Sequence, residues 1–223
     1  MFDESDAEAP AWLAGLNDRQ RDAVMFGEGP LLVIAGAGSG KTRALASRVA
    51  RLVDEGVPAE RILLLTFTRR AAAEMLRRSG ALISNRSVGN VWGGTFHAVG
   101  NRLLRQYGAA VGLQDGFTVI DQADSASLFG MLRNELGYSG TKQRFPKKET
   151  IAAVYSRTVN ARTPLTETVE DRYPWVADHV DSLRDLFRAY SARKKEHNVV
   201  DYDDLLLYWN ALLESPTGGT VRK

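Results

Sequence analysis

The chain has 223 residues, 44% of them hydrophobic and 25% charged, which is enough for one good core plus a smaller satellite domain. No apolar run approaches the roughly 18 residues of a membrane span. The absence of cysteine excludes disulfides and cysteine-based zinc sites, and it fits a cytoplasmic protein.

Residues 1–12 include Asp3, Glu4, Asp6 and Glu8 and no basic residue, which reads as a disordered acidic tail and as neither a signal nor a transit peptide. Leu31 to Ala35 is a continuous apolar run ending in glycines, the pattern of a buried parallel strand. After Lys41, the residues Leu45, Val49, Leu52 and Val53 fall on one face of a helix that Gly56 and Pro58 end. Ile62 to Thr66 reads as a second strand, and Ala71 to Leu76 is rich in helix formers. A third strand at Val91 to Thr95 precedes a helix carrying Phe96, Val99, Leu103, Leu104 and Tyr107 on one side. Repeated strand–helix–strand units predict an α/β fold, a parallel sheet with helices on both faces.

The pattern changes after Gly108. Phe117 to Ile120 reads as a short extended segment, with Asp121 placed to cap a helix bearing Leu128, Met131, Leu132 and Leu136. Thr141 to Lys148 reads as a polar, basic loop, and Thr150 to Asn160 as a helix. The clearest helical stripe is Val176, Val180, Leu183, Leu186, Phe187 and Tyr190. Residues 109–192 are therefore expected to form an all-helical subdomain inserted into, or appended to, the α/β part. That part comprises 13–108, with 193–223 returning to it.

Charge is unevenly placed. Net charge is +2, yet between Arg69 and Arg105 seven arginines (69, 70, 77, 78, 86, 102 and 105) face one acid, Glu74. This balance suits a polyanion, and it also suits a solvated helix face.

The strongest chemical signal is Ala35-Gly36-Ala37-Gly38-Ser39-Gly40-Lys41-Thr42, a G-x-x-x-x-G-K-T pattern with Ala35 in its first position. A small-residue loop between a strand and a helix lets backbone N–H groups approach phosphate oxygens, and the helix N-terminus favours negative charge. Lys41 is placed to reach the β- and γ-phosphates of a nucleotide, and the Thr42 hydroxyl to bind Mg²⁺. Hydrolysis also needs an acid at a strand end. Asp54-Glu55 lies too close to the loop helix to fold back. Asp201 or Asp203, after Val199-Val200, is either that acid or the cap of the helix carrying Leu205, Leu206, Trp209, Leu212 and Leu213.

Several short motifs then line up in one order. Leu16 to Val24 precedes the phosphate loop, Thr66-Phe67-Thr68-Arg69-Arg70-Ala71-Ala72-Ala73-Glu74-Met75 follows the second strand, Gly94-Thr95-Phe96-His97 follows the third, and Asp201-Tyr202-Asp203-Asp204-Leu205-Leu206 comes near the end. With the phosphate loop, these resemble the amino-terminal motifs of superfamily-one DNA helicases of the UvrD/Rep/PcrA family. The resemblance covers nearly the whole chain, with 109–192 matching only as a helical insert.

The resemblance implies a P-loop NTPase (RecA-like) domain using ATP and Mg²⁺, single-stranded DNA or a junction as partner, and 3′ to 5′ polarity. It implies that Gln20 reads adenine, although a glutamine at a helix start is otherwise simply solvated. Ala37, Gly38, Ser39, Gly40, Lys41 and Thr42 would hold the nucleotide, and Arg43 would lie beside its base. Phe67, Thr68, Arg69 and Arg70 match a strand-contacting motif in which an aromatic face stacks a base, the alternative for Phe67 being core packing. The family more often has Asn-Lys where this chain has Arg69-Arg70. Thr95, Phe96 and His97 match a second such motif, His97 being equally readable as structural, and Tyr202 matches a position near the DNA track.

The family's Asp-Glu-x-Gln-Asp motif and second motor domain would follow Lys223, so the chain by itself is expected to bind ATP-Mg²⁺ and DNA without turnover or unwinding. A small P-loop kinase with a lid at Lys142 to Lys148, and a non-enzymatic DNA- or partner-binding module, are the alternatives.

Overall fold

The computed structural model describes residues 9–82, 91–140, 145–216 and 219. By its internal contacts the chain divides into two units, Met1–Val99 and Gly100–Lys223.

In the first unit, α1 (Asp18–Met25) is started by a reciprocal cap: Asn17 accepts from the Gln20 N–H at 2.9 Å, and the Gln20 side chain accepts from the Asn17 N–H at 3.1 Å. Helix α2 (Lys41–Asp54) buries two sides. Ala50 packs with Trp12, Leu16 and Val24, and Val49 packs with Ile62, Leu64 and Val91. Strands β1 (Leu63–Thr66) and β2 (Trp92–Thr95) are parallel, in register from Leu63 opposite Trp92 to Thr66 opposite Thr95. Helix α3 (Arg69–Ala81) connects them in sequence and packs on both, and α4 (Phe96–Tyr107) follows β2 directly, its residues from Gly100 onward belonging to the second unit.

Three expectations are corrected in this unit. Leu31 to Ala35 is not a buried strand: it pairs with no strand among the described residues, and Leu32 and Ile34 are 83% and 89% exposed. An apolar strand is buried only when neighbouring strands and covering helices flank it, and the described sheet here has two strands, β1 and β2. Leu45 is exposed, because the inward face of α2 runs through Ala46, Val49 and Ala50. Trp12, placed in the acidic tail by composition, is buried and donates to Asp54 at 3.0 Å; residues 1–8 of that tail lie outside the described residues.

In the second unit, β3 (Thr118–Val119) pairs in parallel with β4 (Val199–Val200). The rest is helical: α5 (Gln122–Glu135), α6 (Lys148–Ala161), α7 (Leu165–Arg172), α8 (Val180–Glu196) and α9 (Tyr202–Glu214), with 3-10 turns at Gly108–Val111 and Pro174–His179. Asp121 caps α5 by accepting from the Ala123 and Asp124 N–H groups. The core joins Phe129, Ile151, Val154, Val169, Leu183, Leu186 and Tyr190, so the stripe read along α8 is the buried one. In α5 the buried face is Ser125, Ala126, Phe129 and Leu132, and Met131 and Leu136 are exposed.

The basic loop is shorter than expected: Phe145 and Pro146 are buried and Lys148 begins α6, while residues 141–144 lie outside the described residues. Helix α9 packs on α6 and on the Gly108–Val111 turn, so residues 193–214 sit within this unit, and the extended segment read at Phe117 to Ile120 contains β3, whose partner β4 lies beyond the expected insert. Among the described residues no helix is long and apolar enough to cross a membrane.

Candidate nucleotide-binding and DNA-binding residues

The phosphate-loop sequence forms a turn whose carbonyls close on Lys41. The Lys41 ammonium donates to the Ala35 carbonyl at 2.9 Å and to the Gly36 carbonyl at 2.5 Å, and the Ser39 hydroxyl donates to Gly36 at 2.8 Å. Gly40 caps α2 from the left-handed region (φ +81°) and has no side chain to occupy the first-turn N–H groups. A cation and an uncapped helix N-terminus therefore meet at one end of α2, a combination that attracts phosphate. Thr42 is the next residue of that helix and is half-buried. The loop residues thus fit a nucleotide's phosphates in charge and in backbone supply.

Gln20 is brought to this loop: its Nε2 donates to the Ser39 carbonyl at 2.9 Å while its Oε1 is held by the cap of α1. Arg43 turns the other way and donates to the Ala14 carbonyl at 2.9 Å. Sequence reasoning missed Arg48. Its guanidinium donates to the carbonyls of Ala23, Val24, Phe26 and Gly27 at 2.7–3.4 Å, gathering the C-terminal carbonyls of α1 onto the helix that begins at Lys41. Burial, and then the neighbouring Arg51, lower the Arg48 pKa from its usual value. No motif marks Arg48, because its acceptors are all backbone.

The motifs at Phe67 to Arg70 and Thr95 to His97 come together at the carboxyl ends of β1 and β2, the edge of a parallel sheet where ligands usually bind. Thr68 caps α3 by accepting from the Ala71 N–H at 3.1 Å, and Thr95 accepts from the Ala98 N–H at 3.2 Å. These bonds fix the adjoining aromatics: Phe67 is 91% exposed and its ring centroid lies 5.9 Å from that of Phe96. Phe67 is therefore not core packing. Arg69 and Arg70 begin α3 and are exposed, as is His97 in the first turn of α4.

The basic stretch is less uniform than its composition. Arg77 and Arg78 both donate to Glu74, and these hydrogen bonds draw its carboxyl down to about 2. Arg105 lies over the Phe117 ring at 4.3 Å, and Arg86 lies outside the described residues. Arg69 and Arg70 are the exposed cations beside the aromatic pair.

Tyr202 belongs to the second unit, where it is the first residue of α9 and 43% exposed. Its neighbours are engaged. Asp201 caps α9 and pairs with Lys194 at 2.6 Å, and Asp203 accepts from Ser156 and Asn160. The cap reading of Asp201 is the observed one. Lys194 was also missed. Burial by itself lowers its pKa, but the carboxylates of Asp204 and Asp201 outweigh that and raise it above the ordinary lysine value. Lys194 stands four residues after Tyr190, on the same buried stripe of α8, and a lysine continuing an apolar stripe was the available signal.

Helices around small parallel sheets, with a glycine-rich loop running into a helix at Lys41, describe an α/β chain carrying a phosphate-loop sequence. The model of the UvrD/REP helicase N-terminal domain matches residues 16–222, and the chain belongs to that family. An ATP-dependent DNA helicase PcrA of Leuconostoc citreum is 40% identical over 204 residues, 90% of this chain and 26% of the relative. An ATP-dependent DNA helicase UvrD1 of Mycobacterium leprae is 34% identical over 205 residues, 90% and 26% respectively. A PcrA helicase of Staphylococcus epidermidis is 34% identical over 200 residues, 88% and 26%. The chain thus corresponds to the N-terminal part of these helicases and spans about a quarter of their length.

Proposed function

We propose that this chain is the ATP- and single-stranded-DNA-binding part of an ATP-dependent DNA helicase. Residues 13–108 would carry the RecA-like phosphate loop, and residues 109–192 the helical insert. The observation that carries the reading is the loop itself: a lysine ammonium and an uncapped helix N-terminus meet where the sequence places G-x-x-x-x-G-K-T.

Lys41 and the backbone N–H groups of Ala37 to Lys41 would hold the phosphates, the Thr42 hydroxyl would meet Mg²⁺, and Gln20, already at the loop, would read the adenine. Bound ATP-Mg²⁺ would supply the phosphoanhydride bond, cleaved when the γ-phosphoryl group passes to water. Arg43, whose Nη2 donates to the Ala14 carbonyl, would lie beside the base. On the DNA side Phe67 and Phe96 would stack bases, while Arg69, Arg70, Thr68, Thr95 and His97 would hold phosphates. Tyr202 would add a contact from the second unit.

Asp201 caps α9 and pairs with Lys194, and Asp203 is tied to α6, which supports the cap reading over the catalytic-acid reading. In this reading the chain alone binds ATP-Mg²⁺ and DNA without turnover. The kinase and binding-module readings find no support in the family match. Labelled single-stranded oligothymidylate binding by fluorescence anisotropy tests the DNA half: binding weakened by Phe67→Ala supports it, and binding indifferent to Phe67→Ala and to charge reversal at Arg69 and Arg70 would sink it.

A further inference from the structure

We infer that Lys194 is a positioning residue that fixes Tyr202 for contact with single-stranded DNA, an inference that rests on the proposed reading of Tyr202 as a strand contact. Lys194 is 4% exposed. Its ammonium reaches Asp201 Oδ2 and Asp204 Oδ2, each at 2.6 Å. Those two acids bracket Tyr202 in sequence, and they are also locked to each other: Asp201 Oδ1 accepts from the Asp204 N–H at 2.8 Å, and Asp204 Oδ2 accepts from the Asp201 N–H at 3.0 Å. The Tyr190 hydroxyl adds a donor to Asp201 Oδ2 at 2.9 Å. On the other side, Asp203 Oδ1 accepts from Ser156 at 3.0 Å and from Asn160 at 2.7 Å, both on α6. Three acids around one tyrosine are thus anchored to two helices. Tyr202 itself lines a cavity of about 620 Å³ together with Asp203, Ser156 and Asn160.

A helix start needs one capping acid, and Asp201 supplies it. Burying a lysine against two carboxylates goes beyond that need, and buried ion networks add little net stability once desolvation is counted. What the network does deliver is a fixed backbone direction at the first residue of α9. The ammonium is enclosed by the two carboxylates and by the rings of Tyr190 and Tyr155, whose centroids lie 4.5 and 5.2 Å from it. It also donates to the Tyr155 hydroxyl at 3.4 Å, and being enclosed on all these sides it acts on DNA through the residues it holds.

The test is a double-mutant cycle on this chain, read as anisotropy of labelled oligothymidylate over a range of salt. Tyr202→Ala is expected to weaken binding roughly fivefold to a hundredfold, the span of one lost base–aromatic stack. Lys194→Met is expected to weaken it comparably when Tyr202 is present and by less than about twofold when Tyr202 is alanine, because coupled residues are not additive. The salt slope should stay at the parent value, since no phosphate contact is lost.

Equal losses from Lys194→Met in both backgrounds, or a reduced salt slope, would overturn the inference. If Tyr202→Ala acts and Lys194→Met does not, the inference alone fails. If Tyr202→Ala has no effect, the reading of Tyr202 fails and takes the inference with it. Circular dichroism checks that each variant is folded. Should Lys194→Met not fold, Tyr190→Phe removes one donor to Asp201 and no charge, and the same cycle decides the matter with a smaller expected loss.

Discussion

Gly40→Ala probes the phosphate loop through two separable effects. Gly40 has φ +81°, so any side chain is held in the left-handed region, at roughly 1–2 kcal/mol. A Cβ at this position would also stand 2.5 Å from Gln20 Nε2, which donates to the Ser39 carbonyl at 2.9 Å. Displacing Gln20 forfeits that hydrogen bond, a net loss of about 0.5–1.5 kcal/mol. The expected total is about 1.5–3.5 kcal/mol. Gly38→Ala is the internal control: φ is +75° but nothing lies within 4 Å of the added Cβ, so only the backbone cost of about 1–2 kcal/mol applies.

Equilibrium urea unfolding followed by circular dichroism reads the stabilities. In a Gln20→Ala background, Gly40→Ala should cost no more than Gly38→Ala. A Gly40→Ala cost equal to that of Gly38→Ala in the parent chain, or a difference between them that survives Gln20→Ala, would refute the placement of Gln20 against the loop.

Further outcomes follow from the same geometry. Phe67→Ala should weaken oligothymidylate binding by roughly 1–3 kcal/mol per stacked base, yet shift thermal stability by no more than about 0.5 kcal/mol because the ring is exposed; a large melting shift would show that Phe67 packs in a core. Arg69→Glu with Arg70→Glu should flatten the dependence of log affinity on log salt, since phosphate contacts release counterions, whereas Arg77→Glu, already paired with Glu74, should change the slope less. The Glu74 carboxyl should titrate near pH 2 by NMR, against an ordinary value of 4.5. A depressed folded-state pKa stabilises above the unfolded value, so the contribution of Glu74 to α3 should persist above about pH 4.5 and fade as pH falls towards 2. A midpoint near 4.5 would mean that Arg77 and Arg78 do not hold it.

Local chemistry was legible where neighbours in sequence are also neighbours in space. The loop from Ala35 to Thr42, the start of α2 at Lys41 and the caps at Asp121 and Asp201 all depend on residues within a few positions of one another. The stripe from Val176 to Tyr190 was legible because helical periodicity alone selects the buried face. The exposure of Leu32 and Ile34 was not, since whether an apolar strand is buried depends on strands remote in sequence. Arg48 was hidden because its four acceptors are carbonyls, which any residue type supplies. Arg77 and Arg78 read as part of a cationic surface although Glu74 stands three and four residues before them, the spacing at which helix neighbours pair. Arg43 follows the loop in sequence, but its side chain is directed to Ala14, a tertiary choice that the motif does not encode.

The measurement that bears most directly on the proposed function is a titration of this chain with a fluorescent ATP analogue and Mg²⁺, run beside Lys41→Ala and beside an ATPase assay with single-stranded DNA. Lys41 donates only to loop carbonyls, Ala35 and Gly36, among its described hydrogen bonds, so its removal should spare the fold. The expected result is saturable binding that Lys41→Ala abolishes, with no turnover. Binding that Lys41→Ala leaves intact would contradict the phosphate-loop assignment, and turnover stimulated by DNA would contradict the assignment of Asp201 and Asp203 to holding α9.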